Sequence, residues 1–345
     1  MNDYKIYGKN LQFICRESNN RGSNRQTSFS ISISISISFS FSLVLHPLQN
    51  QSYSQTMNEF IHFKQQRELG TILTDIFKFI RLNWKSLFGL ILKVAGPALL
   101  ILVAAYIYYM QAIFGTSGIL QNLDAIDTFS GASMLSVFFL FLAAIIYYSL
   151  LNGVILHYIK AYIENKGNVT NEAVTDGVRE DFWKLLAASF LVAIITGFGM
   201  MFCLIPGIYV GVVLSTTYAV IVFEKRDVLD TISYCFKLIK NEWWMTFATL
   251  FVVFLLYYFI NFIFQIPQYV YFFIKGFSIS EEIAADPAVM FDWIYTALTS
   301  IALLFQYLMY SIIVLCSAFI YFNLNEKKNF TGTMETIDSI GERED

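Results

Sequence analysis

Of the 345 residues, 56% are hydrophobic, 17% aromatic and 14% charged, which is too apolar for an ordinary soluble domain and natural for a chain dissolved in a bilayer. A formal net charge of −3 supplies no basic field to hold nucleic acid, so nucleic acid is not an expected partner. Four scattered cysteines (Cys15, Cys203, Cys235, Cys316) and three histidines (His46, His62, His157) form no C-x-x-C, no Cys/His cluster and no pair at ligand spacing. Neither a zinc site nor a disulfide framework is signalled, and no cofactor is expected.

Residues 1–56 stand apart. They are rich in Ser, Asn and Gln and carry a strict alternation, Ser28-Phe29-Ser30-Ile31 continuing to Ser42. As a strand this would put Phe and Ile on one face and Ser on the other, with no charge to block edge pairing. Serine at every second place also makes a poor signal-peptide core. The segment reads as a low-complexity extension, with Met57 the expected start of translation.

From residue 86 onward, apolar runs recur at the ~20-residue length that crosses a ~30 Å hydrocarbon core. The expected fold is all-α and integral to the membrane, with six spans near 86–110, 133–157, 185–205, 207–223, 245–266 and 294–322 in a domain over 57–325, followed by a polar tail over 326–345. Ile205-Pro206-Gly207 separates the third and fourth spans and predicts a helical hairpin. Lys and Arg then set the orientation. Lys64, Arg67, Lys78, Arg81, Lys85, Lys160, Lys166, Arg179, Lys184, Lys225, Arg226, Lys237, Lys240, Lys327, Lys328 and Arg343 fall on one side, against Lys275 alone on the side of Asp124, Asp127, Pro206 and Glu281. Both termini are therefore expected in the cytoplasm and the protein in the cytoplasmic membrane.

Leu69, Ile72, Leu73, Ile76, Phe77 and Ile80 recur at helical spacing ahead of the first span, and Val228, Ile232, Cys235, Phe236 and Ile239 do so ahead of the fifth. Both read as amphipathic helices in the membrane interface. The two segments align at an offset of 159, pairing Phe77, Lys78, Ile80, Arg81 and Trp84 with Phe236, Lys237, Ile239, Lys240 and Trp243, a sign of internal duplication. Trp183-Lys184 faintly echoes Trp84-Lys85. Trp84, Trp183, Trp243 and Trp244 are expected to anchor the points where interface helices bend into the membrane, since an indole favours the headgroup zone. Membrane lipids are the expected partners, with other membrane proteins or a second copy left open.

Inside the spans ionisable groups are nearly absent, although catalysis or ion coupling would need them. Lys93 is the exception, either snorkelling back to the headgroups or serving as a functional charge. Gly96-Pro97 just after it predicts a kink. Asn152, Asn261 and Gln265 are neutral and suit interhelical hydrogen bonds. Gly207, Gly211, Ser215 and Ala219 at successive i+4 positions predict a close-packing seam. No phosphate-binding loop, nucleophile elbow or zincin motif occurs.

Pro206-Gly207-Ile208-Tyr209, then Leu214-Ser215 and Phe223-Glu224 leading into a helix that ends Glu242-Trp243-Trp244, resembles the multi-pass membrane domain associated with bacterial glycerophosphoryl diester phosphodiesterases. The resemblance is best over 200–250 and extends over 60–325. It departs where relatives often carry an Arg after the turn and this chain has Val212 and Val213. The catalytic barrel has no counterpart, so the resemblance implies a membrane module without its enzyme. The leading expectation is a non-enzymatic multi-pass protein, an envelope or lipid-associated scaffold. The alternatives are a transporter or permease component, whose weakness is the lack of buried coupling charges, and a membrane-embedded lipid enzyme drawing on Asp176, Glu180 and Asp181.

Overall fold

A computed structural model describes residues 60–114, 131–202, 204–279 and 287–341. The chain divides into two units, Met1–Thr56 and Met57–Asp345, and all described residues belong to the second. The Ser28–Ser42 alternation, Cys15, Cys203, Asp124, Asp127 and Glu281 lie outside them.

No β-strand occurs among the described residues. The helices are α1 Leu69–Val94, α2 Gly96–Phe114, α3 Gly131–Glu164, α4 Asn171–Phe202, α5 Leu204–Leu214, α6 Thr217–Glu224, α7 Val228–Ile239, α8 Trp243–Ser278, α9 Trp293–Met309, α10 Ser311–Asn329 and α11 Thr331–Gly341. Six stretches are long and apolar enough to cross a membrane: Gly96–Ile113, Ser133–Glu164, Asn171–Phe202, Leu204–Glu224, Trp243–Ser278 and Trp293–Asn329. The protein is an all-α, multi-pass membrane protein.

Several element boundaries differ from those read in the sequence, each for a local reason. The expected first span, 86–110, is divided at Ala95 between the end of α1 and α2, because Pro97 has no N–H to give the Lys93 carbonyl. No bend occurs at Trp84 or Trp183: α1 runs unbroken through the first and α4 through the second. Neither Trp has a proline or a freed carbonyl beside it, so nothing stops the helix. The aligned units around Trp84 and Trp243 consequently adopt different shapes, since α8 begins at Trp243 where α1 simply continues. Helix α8 also runs past its expected end near 266, through Pro267, to 36 residues, roughly 54 Å at 1.5 Å per residue. Its extension is held by α9. Phe264 stacks on Phe305 at 4.4 Å, Gln268 Nε2 donates to Tyr295 Oη at 3.1 Å, and Lys275 pairs with Asp292 at 2.7 Å.

In the hairpin between α4 and α5, α5 begins at Leu204, ahead of Pro206, which occupies its first turn, where a missing N–H costs no hydrogen bond. Its arms touch backbone to backbone: a Cβ on Gly207 would lie 2.6 Å from Met200 N, and one on Gly199 would lie 3.0 Å from Gly207 Cα.

The core gathers Ile72, Ile76 and Phe79 of α1, Tyr147, Leu151 and Tyr158 of α3, Val220–Val222 of α6, and nearly the whole of α10. The segment before α1 is pinned beneath it by Arg67. Its guanidinium side chain is fully buried, pairs with Asp75 at 2.8 Å, donates to the carbonyls of His62 and Phe63, and lies 5.0 Å over the Phe319 ring. At the far end Glu326 accepts from the N–H groups of Gly332 (2.6 Å) and Thr333 (3.1 Å) and so caps α11 within the 326–345 tail.

Candidate functional site

Two of the six crossings are broken within the bundle, and side chains repair each break. The fourth stops at Ser215 and Thr216 between α5 and α6, where Ser215 Oγ donates to Val212 O at 2.7 Å and Thr216 Oγ1 to Val213 O at 3.5 Å. The sixth stops at Tyr310 between α9 and α10. The Tyr307 carbonyl left there is taken by a tyrosine from another span, Tyr147 Oη of α3 donating to it at 2.8 Å, and Tyr257 Oη of α8 adds a bond at 3.3 Å to Gln306 O, which already accepts from Tyr310 N–H at 3.2 Å. Irregular backbone at membrane depth survives only where such partners replace the missing helical bonds.

A cavity of about 690 Å³ lies against both breaks, walled by α3, α4, α5, α6, α8 and α10. Its apolar wall comes from Phe141, Val192, Met200, Ile208, Phe247, Phe251, Phe254 and Ile313. Its polar atoms are hydroxyls and one amide, from Tyr148, Tyr218, Tyr310, Ser189, Thr196, Ser215, Ser317 and Asn152. No Asp, Glu, Lys, Arg or His lines it. Such a chamber suits a ligand of the ordinary 300–1,000 Å³ class that is mostly hydrocarbon with one or two neutral hydrogen-bonding groups. It offers nothing to a free ion or a phosphate.

Asn152, Ser189 and Tyr218 lead along their helices to a cluster of charge. His157 on α3 and Asp181 on α4 are 4% and 2% exposed. His157 Nε2 lies 3.1 Å from Asp181 Oδ2, yet off hydrogen-bond geometry and with no other partner. Lys225, just after α6, reaches the same Asp181 oxygen at 2.8 Å and Glu180 at 3.2 Å. Burial pulls the Lys225 ammonium down, but hydrogen bonds to Asp181 and Glu180 outweigh it and hold the group above its ordinary value. Gly177 makes room for the imidazole, since a Cβ there would sit 2.3 Å from His157 Nδ1. Lys225 itself is in the left-handed region (φ 55°, ψ 29°), a conformation that costs a lysine about 1–2 kcal/mol and here closes α6, its N–H donating to Ile221 O at 3.0 Å.

The residues singled out in the sequence are dispersed. Gly207, Gly211 and Ser215 are gathered at the α4/α5 hairpin and the cavity, while Ala219 lies beyond the break, buried on α6. The expected single stripe is thus cut in two at Ser215–Thr216. Lys93, expected within the first span, sits exposed on the last turn of α1, ahead of the crossing stretch and away from the cavity. Trp84, Trp183 and Trp244 are 55%, 74% and 77% exposed. Trp243 packs inward instead, stacked 5.5 Å from Tyr209 and donating its Nε1–H to Tyr209 O at 3.4 Å. Asp181 and Glu180, noted as acids a lipid enzyme would need, are both engaged by Lys225. Burial pushes the Cys235 thiol up, away from a reactive thiolate. Among the described residues no group of three His, Cys, Asp or Glu could hold a metal ion. Nothing in the order of residues signals the tyrosine-mended breaks or the His157–Asp181 pair, because both depend on which helices become neighbours. Compared with known proteins, the chain matches no family model, no curated protein and no solved structure.

Proposed function

We propose that this is a non-enzymatic protein of a bacterial cytoplasmic membrane that holds one weakly polar lipid in the cavity between its broken fourth and sixth spans. The observation that carries the reading is the lining: hydrocarbon walls, scattered hydroxyls and no ionisable side chain. With no Asp, Glu, Lys or His in the lining, no ordinary general base is at hand to activate water or a hydroxyl, whereas hydrocarbon walls with scattered hydroxyls solvate an acyl or isoprenoid chain bearing a hydroxyl or ester. The excess of Lys and Arg on one side supports a placement with both termini in the cytoplasm. The buried faces of α1 and α7 beside exposed Trp84 and Trp244 support an interfacial position for these segments. Kinship with the membrane domains of glycerophosphoryl diester phosphodiesterases, which the Pro206–Tyr209 turn suggests, agrees with a lipid ligand and is part of the proposal.

Hexadecanol carrying a diazirine, photolysed with the protein in nanodiscs, tests the reading. Label is expected at Tyr218 and Phe247, and it should fall when Gly211→Leu fills the chamber. Label confined to lipid-exposed residues such as Leu100 and Phe259, unchanged by Gly211→Leu, would refute it.

A further inference from the structure

A second cleft, of about 400 Å³, opens between α1 and the loop that joins α3 to α4, and it shares no residue with the cavity. Arg81, Asn83, Trp84 and Lys85 of α1, Asn168 of the loop and Tyr158 of α3 line it. Its polar frame is fixed. Asn83 donates to Phe79 O at 3.0 Å and accepts from Tyr158 Oη at 3.2 Å, while Gly167, at φ 99°, turns the loop and donates its N–H to Tyr162 O at 2.8 Å. The charge in the cleft is of one sign: Arg81 and Lys85 stand exposed one turn apart, and no Asp or Glu is among the described residues that line it. Neither cation forms an ion pair with a described residue, and like charges at i, i+4 repel. The aligned unit shows the alternative. Asn83 is replaced there by Glu242, which pairs with Lys327 at 2.9 Å, and Trp243 is turned inward onto Tyr209. That unit supplies its own anion, whereas the first leaves its cations for one from outside.

We propose that this cleft binds the headgroup of an anionic phospholipid, one in which the phosphate diester carries the only charge. The site is separate from the cavity and does not depend on the lipid assigned to it. Tyr158 lies within the apolar stretch Ser133–Glu164 and Asn168 just beyond its end, which sets the cleft at the depth where headgroups begin. There the Arg81 guanidinium can give two parallel N–H bonds to phosphate oxygens, and Lys85 adds a point charge. The amides of Asn83 and Asn168 add neutral donors for hydroxyl or ester oxygens. A headgroup ammonium is disfavoured: it would meet two cations and no carboxylate, and the Trp84 ring that could hold it already has Lys85 Nζ over it at 5.6 Å. A free phosphate would use the cations alone, but a lipid also uses the helix beside them. Trp84, Phe88 and Leu92 recur at i, i+4 and i+8, with Trp84 and Leu92 more than half exposed, and give acyl chains an apolar track toward the crossing that begins at Gly96.

Native mass spectrometry of the full chain tests the site, with three titrants: dioleoylphosphatidylglycerol, dioleoylphosphatidylcholine, and the water-soluble deacylated headgroup of the first. Phosphatidylglycerol should bind about tenfold or more tighter than phosphatidylcholine, the worth of one hydrogen bond to a charged group, and should exceed its own soluble headgroup by at least as much. The double variant Arg81→Gln/Lys85→Gln should lose the preference between lipids. Lys240→Gln, which removes the cation aligned with Arg81 where no such cleft exists, should keep it. Acetylation of the unaltered chain in nanodiscs needs no variant: phosphatidylglycerol should protect Lys85 relative to Lys240, and phosphatidylcholine should not. Equal affinity for the two lipids, a preference that survives in the double variant or falls as far in Lys240→Gln, or an unprotected Lys85 would overturn the proposal. Soluble headgroup binding as tightly as the lipid would overturn the lipid as the occupant.

Discussion

Gly207→Ala measures how tightly the α4/α5 hairpin is closed. The added methyl would meet Met200 N at 2.6 Å and Met200 Cα at 2.8 Å, where ordinary contact begins at 3.4 Å, so the two helix backbones must part. A side chain could rotate away from such an overlap; a backbone cannot. Overpacking of this kind costs about 1–3 kcal/mol, and the upper half of that range applies here. Replacing a helical glycine with alanine gains up to about 1 kcal/mol in return, leaving a net loss of about 1–2 kcal/mol. Gly211→Ala, one turn on, is the control. Its methyl would lie 3.6 Å from Thr196 Cγ2, an ordinary contact, so only the gain applies. Thermal unfolding of both variants in one detergent, followed by intrinsic Trp fluorescence and by recovery of monomer on size exclusion, should place Gly207→Ala below the unaltered protein and Gly211→Ala level with or above it. If Gly207→Ala is as stable as Gly211→Ala, the close approach is not a constraint and the hairpin argument fails.

Tyr147→Phe strands the Tyr307 carbonyl at the break in the sixth span and should cost about 1–3 kcal/mol, read as a lower melting temperature with the helical circular-dichroism signal intact. Gly177→Ala should displace the His157 ring and destabilise the protein, whereas Gly197→Ala, with open space at its Cβ, should not; melting curves separate the two. Burial works against the charge on Asp292, but Lys275 and the donors of Tyr271 and Tyr295 outweigh it and hold the carboxyl below its ordinary value of 3.8. A depressed folded value means that its contribution is complete above about pH 3.8 and is lost as pH falls through the lowered value. Asp292→Asn should therefore lower stability at neutral pH and flatten that part of the acid-unfolding curve. Glu326→Gln weakens the cap on α11 and should speed proteolysis within Thr331–Gly341 while leaving the spans protected.

The number of crossings and the hairpin at Pro206 were legible in the sequence because apolar length and turn residues are local properties. The Gly96-Pro97 interruption was legible for the same reason. What could not be read is whatever one helix does to another. Asp181 looked like a surface acid because it neighbours Glu180 and Arg179 in sequence; its burial comes from α3 and Lys225 closing over it. Ser215 matched a small-residue stripe and was instead part of a break, since a hydroxyl that lets helices approach can equally bond a carbonyl one turn back. Trp243 matched an interface anchor, and only the position of Tyr209 turns it inward. Lys93 drew attention as the lone charge among apolar residues, yet the buried charge is gathered instead at helix ends, where Lys225 meets Asp181.

The tyrosine hydroxyls at the break in the sixth crossing also bear on the order of assembly. Tyr147 belongs to another span, so a newly inserted Trp293–Asn329 segment broken at Tyr310 has no partner for the Tyr307 carbonyl. In lipid it must keep that bond within itself and run straight, as a 37-residue rod of about 55 Å tilted steeply across the bilayer. The break at Tyr310 is satisfied only when α3 docks and Tyr147 reaches the Tyr307 carbonyl. The cavity is thus a product of the last packing step, absent from every inserted intermediate in which the sixth crossing stands alone.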